Sequence, residues 1–123
     1  MSNRFEGTDL DQLRSEEEIE IETSSDPGAA HRAIIWVVVD DEDRVLIRSY
    51  RGPGARWFRE VVAKPECRIH VRGRALDVRA VAATDPDRVA ACSEGLRTKY
   101  DGHSATPSMR RRHLETTLEL VPR

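Results

Sequence analysis

Residues 18–23 read EIEIET, a strict polar–apolar alternation that predicts a half-buried strand with Ile19 and Ile21 turned inward. Ahead of it, Leu10 and Leu13 stand three positions apart and predict a short helix or frayed arm over residues 9–15. Asp26, Pro27 and Gly28 make residues 24–30 a turn by composition. Residues 32–40 are apolar on both alternating sets, Ile34, Trp36 and Val38 against Ile35, Val37 and Val39. That pattern predicts a central strand covered on both faces. A polar turn at 40–44 joins it to a strand at 45–50, and the two are expected to form an antiparallel hairpin.

After the Gly52-Pro53-Gly54 turn, Trp57, Phe58, Val61 and Val62 fall on one helical stripe, with Arg56, Arg59 and Glu60 opposite. Pro65 stops that helix. Alternation resumes with Cys67, Ile69 and Val71 inward and Arg68, His70 and Arg72 outward. Gly73 turns the chain into a strand over 75–83, with Leu76, Val78 and Ala80 on one face. Asp85-Pro86 is a helix start, continued at helical spacing by Val89, Cys92, Leu96 and Tyr100. The segment DGHSATP reads as a loop, and residues 117–121 as a final strand. The expectation is a mainly β fold with flanking helices (α+β), a six-stranded antiparallel sheet that curls into a barrel because closure removes exposed edges. Residues 1–16 form an acidic arm or short helix, and 17–123 one domain.

Composition adds a modest core, since 38% of residues are apolar and only six are aromatic. No run approaches the roughly 18 apolar residues that cross a bilayer. The opening MSNRFEGTDLDQLRSEEE has neither a basic start nor an apolar segment, so a cytoplasmic protein without a membrane partner is expected. Cys67 and Cys92 are too far apart for a CxxC pattern and read as inert buried thiols. Charge is unevenly spread. Residues 1–28 hold nine acids against two bases, whereas 44–79 hold ten bases against Glu60, Glu66 and Asp77.

That basic block surrounds the glycine–proline turn. The helix after the turn begins with free N–H groups and a positive dipole end. Arg51 and Arg56 are placed to reach the same point, and Arg48, Ser49 and Tyr50 add a charge and hydroxyls. Such a mixed donor set suits a phosphate. The residues alone leave a second reading open, an ordinary turn with solvated arginines. GPGARW lacks the Lys-Ser/Thr ending of a nucleotide-hydrolase loop, GxSxG is absent, and no His–Cys spacing suits zinc, so no metal is expected. His31 at a strand start reads either as a surface histidine or as a proton donor near neutral pH. Arg68, His70, Arg72 and Arg79 offer an arginine-rich face to a nucleic-acid backbone, with Trp57 or Tyr100 for stacking. The few aromatics argue against that partner.

The run RSYRGPGARWFREVVAKPECRIHVRGRALDVRA resembles the pyridoxamine-phosphate-oxidase-like split barrels that bind flavin, and is similar to the deazaflavin-dependent nitroreductases. From about Ile19 to the closing LELVPR, the chain most resembles the uncharacterised family domain of unknown function 2255. The resemblance implies a six-stranded split β-barrel and a homodimer with the cofactor between subunits. The cofactor it implies is a deazaflavin or FMN. It assigns cofactor binding to Arg48, Ser49, Arg51, Gly52, Arg56 and Trp57 around the turn. Thr23, His31 and Arg32 would face the cofactor ring. Trp57 stands where the oxidases carry Lys, and Lys64 replaces the usual Asn before Pro65. The implied activity is hydride transfer to a small organic substrate, with a non-catalytic ligand-binding or structural dimer as the alternative.

Overall fold

Pairing in the computed structural model, which describes residues 4–25 and 28–123, follows the alternating patterns closely at both ends of the chain. Of the turn expected over residues 24–30, Asp26 and Pro27 lie outside the described residues, whereas Ser24 pairs with Ala30 and Ser25 with Ala29, so the strands run further into it than composition suggests. Strand β1 (Ile19–Ser25) buries Ile19 and Ile21 and pairs antiparallel with β2 (Ala29–Ile35). Strand β5 (Glu66–Val71) buries Cys67, Ile69 and Val71 and pairs with both β1 and β6 (Arg74–Ala82). Strand β7 (Leu118–Pro122) lies between β6 and β4 (Val45–Ile47), and β4 pairs with β3 (Val38–Val39). The result is one antiparallel sheet of seven strands in the order β2-β1-β5-β6-β7-β4-β3.

Seven strands replace the expected six because the segment 32–40 is not one strand. It breaks at Trp36 and Val37, and its halves β2 and β3 are the two edges of the sheet rather than its centre. Its double apolar pattern has a different cause from coverage of one strand on both faces. Ile35 and Val37 enter the core inside the curl, Val38 enters a second core outside it, and Ile34 remains 64% exposed. Hydrogen bonds from helix α3 (Pro86–Lys99) and the residue after it satisfy the backbone at the break. The Val37 N–H donates to the Tyr100 hydroxyl at 3.1 Å, and Lys99 Nζ donates to the Val37 carbonyl at 2.7 Å. These bonds replace ladder bonds, as buried backbone groups require.

The strand buried on both faces is β4, where Val45 and Ile47 join the inner core and Leu46 the outer one. It ends at Ile47, short of the expected Tyr50. The outer core, with Cys92, Leu96, Tyr100 and Met109, lies beneath α3 and α4 (Thr106–Arg111). Gly95 allows that approach, since a Cβ there would stand 3.0 Å from Val38 Cβ. Asp85 caps α3 as expected, accepting from Arg88 N at 3.0 Å. Helix α4 falls in a stretch with one proline and adjacent arginines, too short to show a period. Helix α1 (Gly7–Ser15) inserts Leu10 and Leu13 into the inner core. Helix α2 (Arg56–Ala63) buries Trp57 and Val61 there, a narrower stripe than expected: Phe58 is half-buried and Val62 is 63% exposed.

Candidate functional site

The glycine–proline turn is held by side chains from far along the chain. Ser49 Oγ donates to the Gly52 carbonyl at 2.7 Å, and Ser49 N donates to Thr116 Oγ1 at 3.0 Å. Gly52 has φ +76°, and the His113 ring packs so closely that an added Cβ would meet Nδ1 at 2.5 Å. Only glycine suits that position, on both backbone and packing grounds. A single 3₁₀ turn over Gly52–Gly54 then delivers the chain into α2.

Beside this turn opens a cavity of about 940 Å³ between β2, the turn and the start of α2. Eight of the nine residues nominated from sequence line it: Thr23, His31, Arg32, Arg48, Ser49, Arg51, Arg56 and Trp57; Gly52 shapes the turn behind it. Sequence reasoning missed Ile34, Trp36 and Met109 as apolar wall; Arg59, one of the arginines clustered about the turn, lines the cavity as a further cation. Arg51, Arg56 and Arg59 form no ion pair among the described residues. The arginine-rich strand face is different, because each base there has a carboxylate: Arg68 with Asp77, His70 with Glu22, Arg72 with Glu16 and Arg79 with Glu66. Trp57 and Tyr100, considered above as stacking surfaces, are buried.

Arg48 and Ser49 are more committed than the turn pattern implied. Arg48 is 2% exposed and ties the end of β4 to α3, α4 and the residue before β7. Its Nε donates to Thr117 Oγ1 at 2.9 Å, Nη1 to Ser93 Oγ and the Met109 carbonyl, both at 2.9 Å, and Nη2 to the Val89 carbonyl at 3.1 Å. All these acceptors are neutral, so burial draws the guanidinium below its ordinary proton affinity. Ser49 spends its hydroxyl proton on the turn itself.

Thr23 and His31 face each other across the β1–β2 ladder, and Glu60 of α2 reaches both. Thr23 Oγ1 donates to Glu60 Oε1 at 2.6 Å, and His31 Nδ1 lies 3.3 Å from Oε1 and 3.2 Å from Oε2. Burial pushes the Glu60 carboxyl up, but the bonds from Thr23 and His31 and the charges of His31 and Arg56 outweigh it and hold the group below the usual range. Glu60 had been read as part of an exposed helix face. Its four-residue spacing from Arg56 puts it on the cavity side of α2, a signal visible only once the helix direction is known. Arg32 points outward and donates to Glu20 at 3.2 Å.

Cys67 and Cys92 are free and buried, and burial pushes both thiols up to about 11. Among the described residues no three His, Cys, Asp or Glu side chains gather as a metal site, and no helix is long and apolar enough to cross a membrane.

A family model described as "Uncharacterized protein conserved in bacteria (DUF2255)" matches residues 9–120. The chain belongs to the DUF2255 family. No curated protein matches it. Among solved structures it is similar to HutZ, the heme storage protein from Vibrio cholerae, with TM-score 0.66 and 13% identity over 98% of this chain and 91% of that one. It is also similar to an F420 reductase, at TM-score 0.59 and 18% identity over 91% of this chain and 90% of that one. A third is a putative pyridoxamine 5'-phosphate oxidase from Listeria innocua, at TM-score 0.62 and 11% identity over 94% and 90%. At these identities the likeness establishes the fold alone of this DUF2255 protein, a split barrel. The three names also differ in ligand, so the fold alone leaves the ligand open.

Proposed function

We propose that the cavity takes a phosphate-bearing flavin, either FMN or a deazaflavin, and that the protein passes hydride between it and a small organic substrate. The observation that carries this reading is the trio Arg51, Arg56 and Arg59. These three cations line a cavity with an apolar wall and have no carboxylate partner among the described residues. The residues present fit such a group: arginines at the turn for phosphate, and Ile34, Ile35, Trp36 and Met109 against a ring system. A volume of about 940 Å³ is ample for a cofactor of that size. Trp57, in the place of a Lys, offers a ring face rather than charge, which leaves neutralisation of the phosphate to the arginines. When bound, such a cofactor supplies the hydride chemistry, while the protein binds, orients and excludes water.

The working unit in this reading is a homodimer. Ile34 and Tyr50 line the open side of the cavity yet stand 64% and 58% exposed, and a second copy would cover them. The test is to titrate purified protein with FMN and then with oxidised deazaflavin, following quenching of cofactor fluorescence. Saturable binding of one is expected. No saturation by either at high micromolar concentration overturns the reading, and binding without turnover of any nitro or carbonyl substrate reduces it to a carrier.

A further inference from the structure

At the edge of the cavity lies one cluster that anion binding does not use, in which Glu60 stands behind the lining residues Thr23 and His31. It draws on three separate elements, β1, α2 and β2, and is arranged in one direction. The Thr23 hydroxyl, 3% exposed, has a single proton and gives it to Glu60 Oε1, which fixes the carboxylate. Ionised Glu60 can only accept, so it takes the Nδ1 proton of the imidazole lying 3.2–3.3 Å away. A neutral His31 therefore carries its proton on Nδ1 and has a bare Nε2. That nitrogen has no partner among the described residues, on a side chain that lines the cavity and keeps 29% exposure to solvent.

We propose that His31, through Nε2, is the residue that exchanges a proton with the occupant of the cavity, and that Glu60 and Thr23 are its positioning residues. The role rests on the hydride-transfer reading above. When bound, a reduced flavin or deazaflavin would supply hydride to a substrate carbon or nitrogen, and the electron pair displaced from the double bond would leave a basic atom in need of a proton. The imidazolium Nε2–H bond breaks, the new O–H or N–H bond forms at that atom, and His31 is left neutral with Nδ1–H still on Glu60. Solvent returns the proton through the exposed edge of the ring. In the reverse direction the bare Nε2 takes the proton. Glu60 of α2 is the charge in contact with this ring, with Arg56 on the same helix; Arg51 and Arg59 line the cavity, and Arg32, next along the strand, is paired with Glu20.

Two readouts test this. The first needs no cofactor: long-range proton–nitrogen NMR of histidine-labelled protein across pH, with His31→Gln to assign the signal. Neutral His31 is expected as the Nδ1–H tautomer. Glu60→Gln is expected to mix the tautomers. Thr23→Val is expected to mix them partway, and Thr23→Ser to leave the Nδ1–H form intact. The second is the pH profile of cofactor-dependent reduction, in which His31→Gln is expected to lose the acid-requiring limb while cofactor affinity stays within twofold. An Nε2–H tautomer in the native protein, a tautomer balance indifferent to Glu60→Gln, or an unchanged pH profile in His31→Gln overturns the proposal. Failure of both cofactors to bind overturns the hydride-transfer reading and this role together. Binding with the wrong tautomer overturns this role alone.

Discussion

Replacing Arg48 by Met is expected to damage the fold more than the ligand site. The substitution keeps most of the volume and removes the guanidinium from its five acceptors, Thr117 Oγ1, Ser93 Oγ and the carbonyls of Met109, Val89 and, at 3.5 Å, Arg110. These do not suffer equally. Ser93 Oγ still donates to the Arg110 carbonyl at 3.1 Å, and Thr117 Oγ1 to that of Leu114 at 2.7 Å, so each hydroxyl keeps one bond. The Val89 carbonyl lies within α3 and serves the helix ladder as well. The Met109 carbonyl, near the end of α4, is the one left bare. Leaving that group unsatisfied costs about 1–3 kcal/mol, and the weakened bonds to the others add about 0.5 kcal/mol each. Removal of a buried charge returns part of this. The net expectation is about 3 kcal/mol, or a fall in Tm of roughly 10 °C for a domain of this size. Urea unfolding followed by tryptophan fluorescence measures it, and an unchanged m-value would show that the native and unfolded states remain comparable. Arg48→Lys recovers only part, because one ammonium cannot span acceptors on α3, on α4 and at Thr117. The reasoning is refuted if Arg48→Met unfolds within about 0.5 kcal/mol of the native protein while cofactor affinity falls tenfold or more. Arg48 would then be a ligand contact after all.

Gly52→Ala is expected to lose about 2–4 kcal/mol, from a positive φ and from the clash with His113, whereas Gly54→Ala, with nothing within 4 Å of its Cβ, stays within about 0.5 kcal/mol. Arg51→Ala and Arg56→Ala, both exposed, should leave unfolding unchanged and each lower cofactor affinity about tenfold, with the salt dependence of binding reduced. Alkaline stability should pass through a maximum. Burial lowers Lys99 from 10.5 to about 8, so between these values the unfolded chain binds more protons and stability rises with pH. Cys67 and Cys92, raised from 9.0 to about 11, keep their protons longer in the folded state, so stability falls above about pH 9. Thermal melts from pH 7 to 11 check the maximum, and Lys99→Met should remove the rising limb. Ile34→Asp should abolish any dimer detected by sedimentation without changing the monomer's circular dichroism.

Strands whose two faces meet different environments were readable, because alternation reports that difference directly: β1, β5 and β6 fell where EIEIET, CRIHV and the segment after Gly73 put them. The segment 32–40 was misread for the converse reason. A run apolar at every position has no period, so one strand covered on both faces and two half-strands entering two cores look alike in sequence. The hydrogen bonds that decide between them come from Lys99 and Tyr100, about sixty positions away. At the site, glycine, proline and clustered arginines marked the turn and the cavity beside it. What they did not reveal was which arginine is consumed internally. Arg48 and Arg51 are three residues apart and similarly placed in sequence, yet one is clamped by α3, α4 and Thr117 and the other borders the cavity. Glu60 was hidden likewise, since its partners lie on another hairpin.

The position of β7 has a bearing on how this chain reaches its native state. Five residues, Leu118–Pro122, separate β2-β1-β5-β6 from β4-β3, so two sets of strands made early have no ladder to each other until the last strand enters between them. Val45 and Leu120, paired across that seam, are seventy-five positions apart. Closing so long a loop is entropically expensive and is rewarded only when both sides of the gap zip together. During synthesis the facing edges of β6 and β4 therefore stand open, and each is a template for pairing with another nascent chain. Slow, late closure and a tendency to swap or aggregate before it are kinetic hallmarks to expect of this topology, whatever its cavity binds.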